Sequence, residues 1–416
     1  FFFNDTATTE IYTVTNTLSL HDALPIWQAL YDVGSGACRA DGPVGRSDPI
    51  GDPVLWSQAV VGTLEFLNRK VAPYFKDETY AARIAEVGLN PGYVEVLPDP
   101  MACCGYANLG LDYLLPAYGA LFEALDQSDQ ADPGTRILDL VAPSFRVAAP
   151  SDLSDEDAPM ARFLDFVAQE TAGRGPQVLS LLSTTASPDD QAALVKALKD
   201  RAGTLGLQTT RVADLGMRVD PAVWTARAAD LDTTAKRSMW LGAFLAMARI
   251  LDQETLELLV PDRWGGPAAE PGDQAGEDLF QAANGNGLPA FHTMVPFFLM
   301  DLGKAVRVAV DTIDDTAGPR DLRVLAGRKE DGALAVVVVA LPTPDDPRVG
   351  YRLTYRLDLR GLDGDAYTLR RAVIDAGSTD FRYSESSRVA PVDGALAVAR
   401  QIIAPSVQYL ELNPAQ

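Results

Sequence analysis

Acidic side chains next to predicted β-strands are the residues of this sequence best suited to chemistry. Asp99 follows a predicted strand at residues 93–97, and Asp214 closes another at residues 209–214. In a chain that alternates strands and helices, the carboxyl ends of parallel strands lie on one edge of the sheet, so both carboxylates are expected there. Carboxylates in that position transfer protons or bind a ligand, although acids at strand ends also cap loops and helices.

The first segment, residues 1–26, reads codon by codon as a short-read sequencing adapter. Residues 4–13 match the flow-cell end, residues 16–26 continue the same adapter, and a variable index falls between them. We therefore expect the segment to be an artefact of sequence assembly and the natural protein to begin at Trp27, inside a domain. The same break would remove the first strands of that domain and any export signal, which leaves a secreted or periplasmic location open.

Charge and histidine content exclude several classes of function. The net charge is −22, which becomes −19 without Asp5, Glu10 and Asp22 of the adapter-like segment. Such a field repels phosphate backbones and anionic membranes, so we expect no nucleic-acid partner. His21 lies in the adapter-like segment, which leaves His292 as the one native histidine. Centres built from several histidines are therefore excluded, and no metal is expected.

The cysteines and the hydropathy predict neither a disulfide framework nor a membrane span. Cys103 and Cys104 are neighbours, which rarely pair with each other, and Cys38 is the third cysteine. No uninterrupted apolar run reaches about 18 residues, so no transmembrane helix is predicted. Gly34-Ser-Gly36 is too short for the glycine fingerprint of a dinucleotide site, and we expect no cofactor. The oligomeric state is not specified by the sequence.

Short apolar strands alternate with longer amphipathic helices over most of the chain. This order is typical of βα units around a parallel sheet. Ser187-Pro188 is typical of a helix start, because serine caps the first turn and proline fits the first helical position. Strands are predicted at residues 29–33, 93–97, 137–142, 177–183, 209–214 and 256–260, and helices at residues 56–68, 111–125, 160–171, 187–204, 233–251 and 289–306. Because a closed (β/α)8 barrel needs eight strands, residues 27–310 are predicted to form an incomplete TIM barrel.

From about residue 322 the pattern changes to the alternation that is typical of half-buried antiparallel strands. The pair Asp331-Gly332 predicts the turn of a hairpin. Strands are predicted at residues 322–329, 333–341, 351–359, 366–374, 395–402 and 407–412. We therefore predict that residues 311–416 form a C-terminal antiparallel β-sandwich.

A barrel followed at once by a small β-sandwich resembles the clan-A glycoside hydrolases, and family 39 in particular. Val94-Glu-Val-Leu-Pro-Asp-Pro100 is similar to the end of that family's fourth strand, where a glutamate before proline is the acid/base. Val212-Ala-Asp-Leu-Gly216 is similar to the end of its seventh strand, which carries the nucleophile. Residues 285–292 resemble the entry to its last helix, and residues 403–412 resemble its closing strand. The resemblance implies that Asp99 is the acid/base, that Asp214 is the nucleophile or base, and that the substrate is a poly- or oligosaccharide.

Both acids depart from the family pattern. Each is an aspartate where the family has a glutamate, and Pro98 replaces the asparagine before the acid/base. Retaining glycosidases hold their two carboxylates about 5–5.5 Å apart. The loss of one methylene on each side opens the pair by roughly 2–3 Å, towards the spacing with which inverting enzymes seat a water. The family chemistry is therefore not expected unchanged, and the anomeric outcome stays open.

Four further residues are candidates for substrate binding. Glu95 lies within its strand, where it faces the barrel interior or pairs with an arginine. Asp262 and Trp264 follow the last predicted barrel strand, where an acid and an aromatic ring suit a sugar or simply anchor a loop. His292 contacts the substrate or packs at the start of the last helix.

Two functional classes fit these residues. The first is a glycoside hydrolase that uses Asp99 as general acid and Asp214 as nucleophile or base. The second is a catalytically degenerate relative that binds a glycan during polysaccharide assembly or export. The distance between the two carboxylates separates the classes, because the hydrolase requires them to face each other within about 10 Å.

Overall fold

The structure is a computed structural model that describes residues 53–66, 93–95, 111–131, 139–171, 175–176, 178–207, 211–214, 218–252, 288–302, 305–310, 322–342 and 352–415. The strands predicted at residues 29–33 and 256–260 lie outside these residues, as do the adapter-like segment and the three cysteines. Asp99, Asp262 and Trp264 also lie outside them.

The described strands of the first half form a parallel sheet in the order in which they follow one another along the chain. Strand β1 (Tyr93–Glu95) pairs with β2 (Asp139–Val147), β2 pairs with β3 (Val178–Thr185), and β3 pairs with β4 (Arg211–Asp214). A two-residue strand, β5 (Arg218–Val219), pairs with the far end of β3. A barrel wall requires this sequential order, whereas a doubly wound sheet reverses its order at a switch point.

Helices connect these strands, and one of them begins at the cap that the sequence predicts. The Ser187 hydroxyl accepts a hydrogen bond from the backbone N–H of Asp190 at 3.1 Å, which confirms the predicted helix start. The helices are α1 (Pro53–Phe66), α2 (Leu115–Ala131), α3 (Pro159–Gln169), α4 (Pro188–Thr204), α5 (Pro221–Asp230), α6 (Thr234–Asp252), α7 (Pro289–His292) and α8 (Val295–Leu302), with 3-10 turns at Leu111–Tyr113 and Pro150–Leu153. None of the described helices combines the length and the apolar character needed to cross a bilayer.

Aromatic rings dominate the core between the parallel sheet and its first helices. The rings of Tyr118 and Phe122 on α2 stack with their centroids 6.2 Å apart, and Phe163 of α3 meets both at steep angles. Trp56 of α1 meets Tyr118 edge-on, and Phe145 of β2 packs on Phe163. Since such pairs contribute about 0.5–1.5 kcal/mol each beyond area burial, they hold α1, α2 and α3 in place against β2.

The second half of the chain contains two antiparallel sheets. Its strands are β6 (Val306–Val308), β7 (Leu322–Arg328), β8 (Leu334–Ala340), β9 (Arg352–Arg360), β10 (Tyr367–Ile374), β11 (Tyr383–Val389), β12 (Ala395–Ile403) and β13 (Ser406–Pro414). The larger sheet has the strand order β11-β10-β13-β8-β7-β6, and the smaller sheet pairs β9 with β12. Gly332 has a φ of +84° in the turn between β7 and β8, as the Asp-Gly pair predicts.

Both faces of the larger sheet are covered at its two central strands, β8 and β13. On one face, Tyr355 and Ile402 of the smaller sheet pack near Leu410 of β13. On the other face, Val337 and Tyr409 join the core beneath α6. All of β8 and most of β13 are therefore buried. The prediction of half-buried strands is wrong for these two, because helices cover the side that the pattern assigned to solvent.

Several elements differ from the sequence predictions. The closing helix, predicted at residues 289–306, is divided into α7 and α8 and ends at Leu302, and Val306–Val308 is strand β6. Helix α5 and strands β5 and β11 were not predicted. The mixed α/β architecture with C-terminal antiparallel sheets is confirmed, whereas the incomplete barrel and the β-sandwich stay predictions.

Candidate functional site

The carboxyl edge of the parallel sheet is the place predicted for the acid pair. Asp214 is the last residue of β4, and Glu95 is the last residue of β1. Asp99 follows the end of β1 by four positions in the sequence and lies outside the described residues. The structure thus joins β1 and β4 in one sheet, while the distance between the Asp99 and Asp214 carboxylates stays a prediction.

The separation of β1 and β4 sets a condition on the chemistry. Two strands, β2 and β3, lie between them. Because neighbouring strands are about 4.8 Å apart, three spacings place β1 and β4 roughly 14 Å apart in a flat sheet. Catalytic carboxylate pairs are about 5–9.5 Å apart. An acid pair on these two strands therefore requires a sheet that curves and side chains that extend towards each other.

The backbone register assigns Asp214 to one row of the sheet. Asp214 pairs with Leu181, and Leu181 pairs with Phe145. Both partners are buried in the core that the sheet shares with its helices. The next row, in which Ala213 pairs with Ser180, belongs to the opposite face, because successive residues of a strand alternate between faces. Asp214 therefore lies in the row whose other members pack towards the helices.

Other acids at this edge of the sheet cap the backbone. After β2, the Asp152 carboxylate accepts hydrogen bonds from the backbone N–H groups of Ala148 and Ala149 at 2.9 and 3.0 Å. After β5, the Asp220 carboxylate accepts one from the backbone N–H of Ala222 at 2.8 Å. Both acids therefore have the structural role that is the alternative for any acid at a strand end.

The helix start at Asp220 was not predicted, although the sequence contains the pattern of a cap followed by proline. Asp220-Pro221 repeats the pair of cap and proline that predicts the helix start at Ser187-Pro188. The backbone N–H of Asp220 donates to the carbonyl of Thr185 at the end of β3, at 2.8 Å. Asp220 is six positions after Asp214 and has an observed capping role, so it offers a matched control for any test of Asp214.

His292 lies inside the protein rather than at its surface. It is 7% exposed, and its ring meets that of Phe291 with the centroids 5.4 Å apart. The neighbouring Thr293 hydroxyl donates to the carbonyl of Gly242 at 3.1 Å, which fixes α7 against α6. This burial favours the packing alternative for His292, and its contact with a substrate stays a prediction. No group of three or more His, Cys, Asp and Glu side chains suited to a metal occurs among the described residues.

A buried charged cluster lies in the larger antiparallel sheet. Glu411 of β13 accepts a hydrogen bond from the Lys329 ammonium, and each of these side chains is 9% exposed. The Tyr383 hydroxyl donates to Glu411 Oε2 at 2.8 Å, and the Tyr409 hydroxyl donates to Oε1 at 3.3 Å. The alternating pattern of β13 gave no sign of this cluster, because the sequence does not show which charged residues a second layer covers.

The protonation of this cluster follows from its contacts. Burial raises the pKa of the Glu411 carboxyl, but hydrogen bonds from Lys329 and Tyr383 outweigh burial and hold that pKa below its usual value. Burial, and next the negative charge of Glu411, raise the pKa of the Tyr383 and Tyr409 phenols. At neutral pH the cluster is therefore an ion pair that two neutral phenols solvate, an arrangement suited to fixing strands rather than to turnover.

A second polar network joins the two antiparallel sheets. Glu385 of β11 pairs with Arg371 of β10 at 3.2 Å and with Arg400 of β12 at 2.6 Å. The Tyr355 hydroxyl of β9 donates to Gln408 Oε1 of β13 at 2.7 Å. Burial raises the pKa of Tyr355 to about 12, although Arg371 and Arg400 lower it. These contacts explain why the polar strand β11 is ordered in the sheet.

The fold is similar to the folds of solved glycoside hydrolases. A family-39 enzyme from Xanthomonas axonopodis pv. citri matches 88% of this chain over 74% of its own length, with 13% identity and a TM-score of 0.58. A glucosidase from Croceicoccus marinus matches 94% of this chain over 92% of its own, with 17% identity and a TM-score of 0.55. A bacterial orthologue of human α-L-iduronidase matches 89% of this chain over 67% of its own, with 14% identity and a TM-score of 0.54.

These similarities establish the fold and not the reaction. No protein-family model matches the sequence, and no curated protein matches it. The identities of 13–17% are too low to transfer an activity. The chain thus has a glycoside-hydrolase-like fold, which confirms the coarser part of the resemblance, while membership of family 39 stays a prediction.

Proposed function

We propose that this protein is a glycoside hydrolase that acts on a poly- or oligosaccharide, with Asp99 as general acid and Asp214 as nucleophile or base. The observation that carries the proposal is the glycoside-hydrolase-like fold, in which β1 and β4 share one parallel sheet. Asp214 ends β4, and Asp99 follows β1 in the sequence. Parallel strands present their carboxyl ends on one side, where the active sites of such barrels lie.

The proposed reaction is a single displacement. Asp99 protonates the glycosidic oxygen as its bond to the anomeric carbon breaks, and Asp214 takes a proton from the water that attacks that carbon. Aspartates on both sides leave the carboxylates roughly 2–3 Å further apart than a glutamate pair would be. That extra space favours a water between Asp214 and the anomeric carbon, and hence inversion, over direct attack by Asp214.

A second candidate function, glycan binding without hydrolysis, is favoured by the register of β4. Asp214 lies in the row of Leu181 and Phe145, which pack towards the helices. In addition, Asp152 and Asp220 serve as caps at the same edge. Under this alternative the groove of a former hydrolase holds a glycan during polysaccharide assembly or export.

Three single variants test the proposed acid pair on a panel of neutral and acidic glycans. Asp99→Asn and Asp214→Asn are expected to lower kcat by about 10²–10⁴-fold each, the usual contribution of a general acid or base. Asp220→Asn is the matched control, because asparagine caps a helix as well as aspartate does and activity should persist. Hydrolysis that survives the double variant Asp99→Asn/Asp214→Asn would refute the proposed pair.

The same panel separates the two candidate functions. Saturable binding of a glycan by the unsubstituted protein, with no reducing ends released over a long incubation, supports the binding protein and contradicts the hydrolase. Where hydrolysis occurs, the anomer that NMR detects first gives the stereochemical course. The proposed single displacement predicts the inverted anomer.

A further inference from the structure

Charge is distributed unevenly along the chain. Residues 322–416 contain twelve lysines and arginines and twelve aspartates and glutamates, so this part is neutral overall. Residues 1–321 therefore carry the whole net charge of −22. The antiparallel sheets are thus the part of the protein in which basic side chains are able to form a positive surface.

The smaller antiparallel sheet has an exposed outer face. Along β9 the residues alternate between exposed and more buried positions, so that every second side chain points to solvent. The exposed positions are Arg352, Thr354, Arg356, Asp358 and Arg360. On β12 the cross-strand neighbours of the three arginines are Ile403, Ala399 and Ala395. The arginine row, defined as Arg352, Arg356 and Arg360, is thus flanked by apolar and mostly small side chains.

The arginines of the row are widely spaced, and the positive charge is uneven along β9. Successive arginines are four residues apart, which corresponds to about 13 Å along a strand. Arg356 Nε donates to Asp358 at 2.8 Å, and these side chains are 66% and 41% exposed. With three arginines and one aspartate, the exposed face of β9 has a net charge of +2. Asp393 is exposed in the turn beside the Arg360 end. The half of the row from Arg352 to Arg356 is therefore the more positive half.

Neutral polar groups lie between the first two arginines. Thr354 of β9 is directly opposite Gln401 of β12, and both are exposed. Ile403, opposite Arg352, is 50% exposed. The face thus combines guanidinium groups, a hydroxyl, an amide and an apolar side chain on a flat surface.

We propose that this outer face binds an acidic polysaccharide through its carboxylates. The planar guanidinium fork pairs with a carboxylate through two parallel hydrogen bonds, which makes arginine better suited than lysine to this contact. Thr354 and Gln401 bind sugar hydroxyls between two carboxylates, and Ile403 contacts the apolar face of a sugar ring. The choice of a polysaccharide rests on the proposed function, whereas binding at this face does not require the acid pair.

The spacing of the charges argues against nucleic acid. Duplex DNA carries one negative charge per about 1.7 Å of its axis, far denser than arginines about 13 Å apart. A polysaccharide whose carboxylates are separated by whole sugar rings matches the sparse row better.

Affinity electrophoresis of the full chain in gels that contain polygalacturonate tests this surface. The triple variant Arg352→Gln/Arg356→Gln/Arg360→Gln is compared with the control Arg307→Gln/Arg382→Gln/Arg388→Gln, which removes the same charge from exposed arginines elsewhere. We expect the first variant to bind at least about tenfold more weakly than the unsubstituted protein, and the control to bind within about twofold of it. Added salt should weaken the binding of the unsubstituted protein.

Three results would overturn the proposal. They are equal weakening by both triple variants, equal retardation in gels that contain neutral dextran, and tighter binding to duplex DNA or phosphatidylserine vesicles than to polygalacturonate. Failure here is distinct from failure of the acid pair, because retardation in the gel measures binding by the arginine row, whereas the release of reducing ends measures turnover by Asp99 and Asp214.

Discussion

Replacing Glu411 by glutamine removes the negative charge that the buried Lys329 ammonium contacts. Both side chains are 9% exposed, so solvent does not replace the lost partner. Breaking a buried ion pair by removing one partner destabilises a protein by about 3–5 kcal/mol. We therefore expect Glu411→Gln to lower the free energy of unfolding by about that amount at neutral pH.

Replacing Lys329 should lower the free energy of unfolding less than replacing Glu411 does. Lys329→Met leaves Glu411 with hydrogen bonds from Tyr383, Tyr409 and Asn413, which still solvate the carboxylate. The double variant Lys329→Met/Glu411→Gln should be less destabilised than the sum of the single variants by at least about 2 kcal/mol, because neither charge is then left unpaired.

Urea denaturation of the four proteins measures this coupling. The exposed pair Lys196 and Asp200 on α4 is the matched control, with side chains 69% and 64% exposed. Its cycle of Lys196→Met and Asp200→Asn should give a coupling energy of no more than about 0.5 kcal/mol. Similar coupling energies for the two pairs would refute the view that burial makes the Glu411 pair strong.

The remaining predictions concern packing and pH. Gly242→Ala should destabilise the protein by about 1–3 kcal/mol in urea denaturation, because a Cβ there would be 2.7 Å from the Ala290 Cα, whereas Gly203→Ala meets nothing within 4 Å and should not destabilise it. A larger loss at Gly203 would contradict this ranking. The raised pKa of Tyr355, about 12, means that its neutral form is favoured in the folded state, so its contribution is complete below the ordinary pKa near 10 and is lost as the pH rises towards 12. Thermal unfolding between pH 9 and 12 should show that loss, with a slope of up to about 1.4 kcal/mol per pH unit, and Tyr355→Phe should reduce it. The lowered pKa of Glu411 has the opposite sign: its contribution is present above the ordinary glutamate pKa and is lost as the pH falls through the lowered value, which Glu411→Gln should abolish in an acid titration of stability.

The sequence predicted the elements whose signals are local. Ser187-Pro188 marks a helix start because both residues act within one turn. The Asp331-Gly332 turn is equally local, since only the φ of Gly332 has to be satisfied. The similar pair Asp220-Pro221 was missed in the sequence, although it acts over the same short range.

Elements that depend on distant contacts were not predictable in the same way. Strand β11 contains Ser384, Glu385, Ser386 and Ser387 in succession and has no apolar period, and its place is fixed by pairing with β10 and by the Glu385 ion pairs. The burial of Glu411 likewise depends on layers from separate parts of the chain.

The end of helix α8 was missed although its signal is local. The helix ends at Leu302, just before Gly303 in the sequence, and glycine commonly ends helices.

The candidate site likewise combines a local feature that the sequence predicts with a long-range feature that it does not predict. The sequence identified Asp214 as a strand-end acid, and the structure confirms that it ends β4. Whether such an acid is catalytic depends on the face of the strand on which it lies, and that face is known only once the pairing partners of β4 and the layers that cover them are known. Strand periodicity alone therefore does not assign the face of Asp214.

The most direct test of the proposed hydrolase is the release of reducing ends from the glycan panel by the unsubstituted protein and by Asp99→Asn, Asp214→Asn and Asp220→Asn. We predict turnover by the unsubstituted protein and by Asp220→Asn, and a fall of about 10²–10⁴-fold in kcat for the other two variants. Turnover that is equal in all four proteins would contradict the assignment of the acid pair.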